Sequence, residues 1–429
     1  MKKFIIPTLL GILVSFYIFQ VQFRFLPPSL NTKIIVAAIG VFLFAVQCIQ
    51  NHEIRLSRRT LISALIAVAF SLWCLFSMTA NGTDDDTYAT YWISFATWLG
   101  GAYAVCYFIR QRHHRIDLEL LTRYMECVCI AQCVIALMID NIPIVKRIVD
   151  SLIVGGPEFY DSINRMYGFG AALDSGGVVF SVVLVLIAHQ IAQWRNQEEN
   201  KKYLTNYLIA FIIITVIGNM IARTTTVGAI IGLGYILFSY VRIQRGGYIS
   251  GQNLRFYGIL AILVFAAVFI SISLYNSSPI FRDNLRFAFE GFFNWAETGE
   301  FSTGSTDKLN AVMWIWPEDT RSWIIGTGLF GDYVYSTDIG YCRFTLYCGL
   351  VGLVIFSIYF LFNHLSIRSK FRHSNLLALC FIVLTFTIWL KVATDIFFID
   401  ALLFCIDNDP DEIEETKEVK SSIEDFVVQ

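Results

Sequence analysis

Predominantly apolar blocks of about twenty residues recur along the chain, and their length limits the fold more than any other feature. As helices they match the ~30 Å hydrocarbon core of a bilayer. Unpaired backbone amides are not tolerated in lipid, and the blocks lack the alternation of barrel strands, so each is expected to be a helix. Twelve blocks are found, at 4–20, 34–50, 61–79, 89–109, 120–139, 171–193, 204–221, 226–241, 256–275, 340–362, 376–391 and 393–406. With 56% of its residues hydrophobic and 15% charged, the chain is expected to form an all-α polytopic membrane bundle of about twelve spans over residues 1–406.

Basic short loops stay in the cytoplasm. Connections 51–60, 110–119, 194–203, 242–255 and 363–375 carry three Lys or Arg each. Placing them inside puts both termini in the cytoplasm and loops 140–170 and 276–339 outside. The acidic stretch 407–429 lacks apolar periodicity and is expected to be a disordered cytoplasmic tail. Met1-Lys2-Lys3 before an apolar run resembles a secretory signal, but no small-residue cleavage site follows near Phe19 to Phe23, so the segment is expected to remain as a span. Most of the ten cysteines fall inside spans without a CxxC pairing, and neither disulfides nor a structural metal is expected.

The two outside loops are longer than joining helices requires, and such loops are where function tends to sit. Leu309, Val312, Met313 and Trp316 recur at helical spacing before Pro317, and Ile280, Phe281, Leu285, Phe289, Phe292 and Phe293 form a second apolar stripe. Both suggest amphipathic helices at a membrane surface. Against the positive-inside trend, Lys146, Arg147, Arg165, Arg223, Arg282, Arg286, Lys308 and Arg321 lie outside, with Arg343 just inside the bilayer. Guanidinium forks suit phosphate oxygens; the alternative is that single residues snorkel or pair with carboxylates. Asp338 and Arg343 bring opposite charges to the mouth of the 340–362 span, a costly position that marks a functional-site candidate. Inside the bilayer Arg123 and Glu126 are expected to pair, while Asp174, Lys391, Asp395 and Asp400 line a lipid groove or satisfy one another. Asp84, Asp85 and Asp86 in NGTDDDT could be called a metal motif, but are expected to form a solvated turn.

Four segments carry a resemblance: NRMYGFG at 164–170, IARTTTVGAIIGL at 221–233, IIGTGLFGD at 324–332 and STDIGYCRFTLYCGLVG at 336–352. In this order, around one long outside loop, they resemble the O-antigen polymerases, bacterial inner-membrane enzymes related to the O-antigen ligases. The resemblance covers roughly residues 160–360. It implies glycosyl transfer at the outer face, from a glycan on undecaprenyl diphosphate to the non-reducing end of an incoming lipid-linked repeat unit. It implies no nucleotide sugar, metal or other cofactor, and no nucleic-acid partner; a chain-length regulator is left open.

A diphosphate leaving group is stabilised by cations, for which Arg165, Arg223 and Arg343 are the candidates, with Lys308, Arg321 and Tyr341 as further substrate contacts. Asp338 is the candidate base or acceptor-orienting group; alternatively it caps the helix or pairs with Arg343. Tyr335, Tyr341, Trp314 and Trp316 either stack on sugars or anchor the membrane interface. The related ligases usually offer a His in the 336–352 stretch, and this chain has none there, which favours polymerase over ligase. A flippase or transporter is the competing class, although no internal repeat or matched Gly/Pro interruption supports it.

Overall fold

The computed structural model describes residues 2–54, 56–154, 165–194, 201–240, 251–331, 333–371 and 374–407. In chain order the helices are α1 (Lys2–Ile18), α2 (Thr32–Asn51), α3 (Arg58–Asn81), α4 (Tyr91–His113), α5 (Leu118–Asn141), α6 (Pro143–Leu152), α7 (Leu173–Trp194), α8 (Lys201–Ile221), α9 (Thr225–Tyr240), α10 (Gly251–Ser277), α11 (Pro279–Ala288), α12 (Glu290–Thr298), α13 (Gly304–Val312), α14 (Thr320–Ile325), α15 (Gly340–Ser366), α16 (Asn375–Ile388) and α17 (Phe397–Cys405). Each of the twelve apolar blocks folds as one of these helices. Among the described residues, eight helices are long and apolar enough to cross a membrane, and Ile5–Ile18, Thr225–Ser239 and Asn375–Ile388 are apolar but shorter. Of the expected tail 407–429, Asp407 is placed, salt-bridged to Arg110 at 2.8 Å, and 408–429 lie outside the described residues.

Packing follows side-chain size. From Gly176 to Ile191 every residue of α7 is buried, as befits a helix that is apolar all round. Gly228 of α9 meets Ser181 of α7 so closely that a Cβ would collide with its backbone. Gly40 of α2 faces Gly100 of α4 in the same way. Lipid gives apolar helices no hydrophobic reason to associate, so close backbone approach through small residues supplies the attraction. The opposite case is α10, whose apolar stretch has no buried residue.

The expected continuous span at 340–362 is broken. Gly349 adopts φ 68° and ψ −178° inside α15, a region open essentially to glycine alone. The break frees the carbonyls of Leu346, Tyr347 and Cys348, and each is bonded by protein. Thr327 donates to Leu346 through its amide at 2.7 Å and its hydroxyl at 2.9 Å. Tyr347 accepts from the Gly328 amide at 2.9 Å and Ser77 Oγ at 3.0 Å, and Cys348 from Trp73 Nε1 at 2.8 Å. Segment 324–328 of the IIGTGLFGD stretch thus plugs a gap in a helix, with Gly326 (φ 79°) against Tyr347 and Gly349 against Ile324.

Two loop helices also differ from expectation. The apolar stripe after residue 279 is split into α11 and α12, which meet at Phe289. The helix expected to run to Trp316 stops at Val312, and Met313 is buried while Trp316 stacks on Trp323 at 5.6 Å. All ten cysteines are free thiols.

A Cβ at residue 349 or 326 would meet both a glycine-only backbone and a facing carbonyl. Gly349→Ala and Gly326→Ala are each expected to cost at least about 2 kcal/mol, read as a lower unfolding temperature of purified protein. Gly258→Ala, where nothing lies within 4 Å, is expected to be neutral or stabilising by up to about 1 kcal/mol. An unchanged melting temperature for Gly349→Ala would contradict the plug.

Candidate functional site

The chain turns into α15 at Ile339, whose position carries no side-chain cap. Thr337 supports the turn instead, accepting from the Ile339 amide at 3.2 Å and donating to the Met313 carbonyl at 2.6 Å. Asp338 is therefore no helix cap. It is exposed, and it reaches Arg343 and Tyr333 electrostatically without closing a salt bridge to Arg343. Burial, then the facing Asp338 carboxylate, pushes the Tyr333 phenol up.

Arg343 is held by Phe330: Nη2 donates to its carbonyl at 2.7 Å, and the guanidinium lies 3.8 Å from its ring centroid. Phe330 is fixed in turn by Asp85. The amides of Phe330 and Gly331 donate to Asp85 Oδ2 at 2.5 and 2.6 Å, and Thr87 donates to Oδ1. Partial burial alone would raise the Asp85 carboxyl, but the Gly331 amide, the Thr87 hydroxyl and the Phe330 amide hold it below the usual carboxylate range. The triple-Asp turn is thus solvated only in part. Asp84 and Asp86 are exposed, while Asp85 organises the loop behind Arg343.

A second cluster forms where the chain enters α7, α9 and α11. Arg165 and Arg223, far apart in sequence, both lie over the Phe287 ring, 4.9 and 4.4 Å from its centroid. Arg223 also salt-bridges Glu290, whose other oxygen accepts from the Gly304 amide at 2.9 Å. Beside them Lys391 Nζ sits 3.2 Å from Asp174 Oδ1, which accepts from Thr224 Oγ1 at 2.6 Å. Burial lowers the Arg165 guanidinium from its usual value, Asp174 opposing and Arg223 adding to the shift. Among the described residues three cations face two carboxylates, which leaves positive charge in a partly desolvated place, an arrangement suited to an anion with several oxygens. Glu290, Phe287 and Lys391 were not singled out as site residues from sequence; only the cost of an intramembrane Lys pointed toward Lys391.

The clusters share one end of the bundle. Gly340 packs against the backbone of Trp389 and Val392, and the Tyr341 amide donates to the Trp389 carbonyl at 3.3 Å. The start of Arg343's helix therefore abuts the turn that carries Lys391. The other predicted residues do not join either cluster. Tyr341 donates to the Phe386 carbonyl at 2.9 Å, Arg321 to the Ala80 carbonyl at 2.6 Å, and Lys308 is exposed on α13. Arg123 salt-bridges Glu119, not Glu126. Among the described residues, no three His, Cys, Asp or Glu side chains group to hold a metal.

Two cavities adjoin this end. One of about 240 Å³, lined partly by Gln20, Gly168, Gly170, Ser175 and Asp395, opens beside α7. The other is an apolar groove of about 690 Å³ between α8, α9 and α10, closed by Leu285, Phe289, Phe292 and Phe293 of the loop helices. Phe287 and Glu290 lie on the same two short helices.

Because the folded-state value of Asp85 is depressed, its anchoring is complete above the ordinary value of about 4 and is lost as pH falls through the folded value. Amide exchange at Phe330 and Gly331, corrected for intrinsic rate, is expected to quicken below about pH 4. Asp85→Asn keeps one acceptor oxygen without the charge, so protection there is expected to drop about tenfold at neutral pH and lose its acid dependence. Equal protection in both proteins would remove Asp85 as the anchor. No family model matches the chain, and searches of curated proteins and of solved structures return no match.

Proposed function

We propose that this chain is a glycosyltransferase of the bacterial inner membrane that polymerises undecaprenyl-diphosphate-linked repeat units into O-antigen, capsule or exopolysaccharide. The observation that carries this reading is the convergence of Arg165 and Arg223 on Phe287, on loop helices that also close an apolar groove. A polyprenyl diphosphate needs both features: cations for its headgroup and a lateral apolar channel for its tail. In this reading the eight long helices together with α1, α9, α16 and α17 make twelve crossings. Both termini are cytoplasmic, and the cation clusters face the periplasm.

Each residue has a task in this mechanism. Arg165 and Arg223 hold the donor diphosphate, and Glu290 and Phe287 orient Arg223 while leaving donors free. Lys391 adds charge next to Asp174. Developing negative charge on the departing diphosphate is stabilised by cations already in place, at no reorganisation cost. Arg343 is locked by Phe330, and Asp338 projects beside it, exposed and able to accept a proton from the acceptor hydroxyl or orient it. Trp314 and Trp316 are exposed and, with the half-buried Trp323, form an aromatic ladder, suited to sugar faces or to the membrane interface.

One observation favours the transporter reading: α15 is interrupted, as helices at transport sites often are. In transporters the unwound carbonyls face the substrate. Here those of Leu346, Tyr347 and Cys348 are bonded to the protein itself, which favours a structural break.

Losing a charge-assisted phosphate contact costs about 1.5–3 kcal/mol, a tenfold or larger effect. Arg165→Ala, Arg223→Ala and Arg343→Ala are each expected to abolish or sharply reduce polymer while the protein still reaches the membrane, with single lipid-linked units accumulating on the outer leaflet. Accumulation on the inner leaflet would indicate a flippase, and full-length polymer from all three would leave the clamp without support. Asp338→Asn and Asp338→Ala are expected to fail alike, because the residue caps nothing. A reporter fused near residue 300 is expected outside, and ones near 56 and 114 inside; the reverse would overturn the orientation.

A further inference from the structure

Toward the far end of α15 from Arg343, His364 and Asp400 face each other with no solvent exposure on either side chain. His364 Nδ1 lies 3.0 Å from Asp400 Oδ1 on α17, and Nε2 lies 2.9 Å from Thr385 Oγ1 on α16. One imidazole thus ties three helices together. The second Asp400 oxygen, Oδ2, and the neighbouring Asn363 Nδ2 are fully buried and have no hydrogen-bond partner among the described residues. Asn363 Oδ1 accepts from Ser63 Oγ of α3 at 2.6 Å. An ionisable pair inside an apolar bundle is costly to keep, and glycosyl transfer at the other end makes no use of it.

Polar side chains lie between the pair and that other end, the buried Tyr359 hydroxyl making no hydrogen bond among the described residues. Tyr359, on the same helix, is within electrostatic reach of both Asp400 and Asp395. Tyr91 packs edge-on against Tyr359, with centroids 5.7 Å apart, and donates to Asp395 Oδ2 at 3.3 Å. Asp395 lines the cavity of about 240 Å³. We propose that the His364–Asp400 pair is a proton-binding site inside the membrane bundle, loaded and unloaded from this cavity through Asp395, Tyr91 and Tyr359.

The chemistry balances with one proton and no co-reactant. In the loaded state the imidazolium donates from Nδ1 to Asp400 and from Nε2 to Thr385, and the pair is neutral overall. Unloading passes one proton to water in the cavity and leaves neutral imidazole beside a carboxylate. A metal cation is a poorer occupant, since hard cations want about six oxygens and Oδ1 is already engaged by the imidazole. Tyr17 of α1, Tyr359 of α15 and Asp395 are within electrostatic reach of Asp400, and Thr385 of α16 bonds His364, while Ser63 of α3 bonds the neighbouring Asn363 and Tyr91 of α4 bonds Asp395. Cys106 and Cys405 face Tyr17 from beyond it, and Asp395 is faced by Lys33 of α2. Free tyrosines stay neutral to about pH 10, so near neutrality the site's response rests on His364, Asp400 and Asp395.

The test is pH-difference infrared spectroscopy on the purified full-length protein in lipid nanodiscs. Because it reads no polymer, it succeeds or fails independently of the proposed reaction. Imidazole bands and the stretches of the adjoining carboxylate are expected to change together as the pH is varied, and this coupled change is expected to be lost in both His364→Gln and Asp400→Asn. Thr385→Val keeps the pair and is expected to shift the midpoint. Asp395→Asn is expected to retain the bands but slow their response to a pH jump. Absence of a coupled change in the wild-type protein, its persistence in Asp400→Asn, or a midpoint that moves when sodium replaces choline would each overturn the proposal. Should the pair variants fail to fold, Thr385→Val and the sodium comparison still decide it.

Discussion

A peptide carbonyl in hydrocarbon must find a donor, and that requirement organises the end of the molecule where its charges meet. Gly349 interrupts α15 and frees three carbonyls; segment 326–328 and the side chains of Ser77 and Trp73 supply the donors. The loop that follows α14 is thereby fastened against α3 and α15. From that fastening comes the position of Phe330, and from Phe330 the position of Arg343. Asp85 completes the arrangement by accepting both amides next to that aromatic ring. A structural need of the backbone and the placement of Arg343 are met by the same group of residues.

The two cation clusters are built differently. Among the described residues Arg343 closes no salt bridge; a carbonyl and an aromatic face hold it. Arg223 is balanced by Glu290 and Lys391 by Asp174, so each keeps its geometry through an opposite charge. Among the described residues, Arg165 has the Phe287 ring and the Asp174 carboxylate to offset its burial. The net excess of positive charge thus falls on Arg165, and the first oxygens of an anionic ligand gain most there.

The helices were legible because twenty apolar residues in a row admit few other structures. Arg165 and Arg223 could be read as a pair of interest because each sits at a helix mouth, although nothing in the sequence said that Phe287 would receive both. Gly349 could not be recognised as a break: GLVG inside an apolar run looks like the small-residue packing seen at Gly40 or Gly228, and only the carbonyl of Ile324 against it reveals the difference. Asp85 was obscured by Asp84 and Asp86, since which of three adjacent carboxylates turns inward depends on a loop 245 residues away. Tyr341 and Arg321 show the converse limit. Residue type and location suggested ligand contacts, and the structure employs both on carbonyls of its own backbone.

The complete enclosure of α7 bears on how the chain is put together during synthesis. Its apolar circumference is at ease in lipid, so it can wait there as an independent helix. Its polar atoms are not at ease: Ser181 finds the Thr224 carbonyl at 2.9 Å and His189 the Tyr235 hydroxyl at 2.7 Å only once α9 has arrived. Biogenesis therefore has a defined late step, in which the second half of the chain closes around a helix made earlier. Until then α7 holds unsatisfied groups of the kind that membrane quality control can detect.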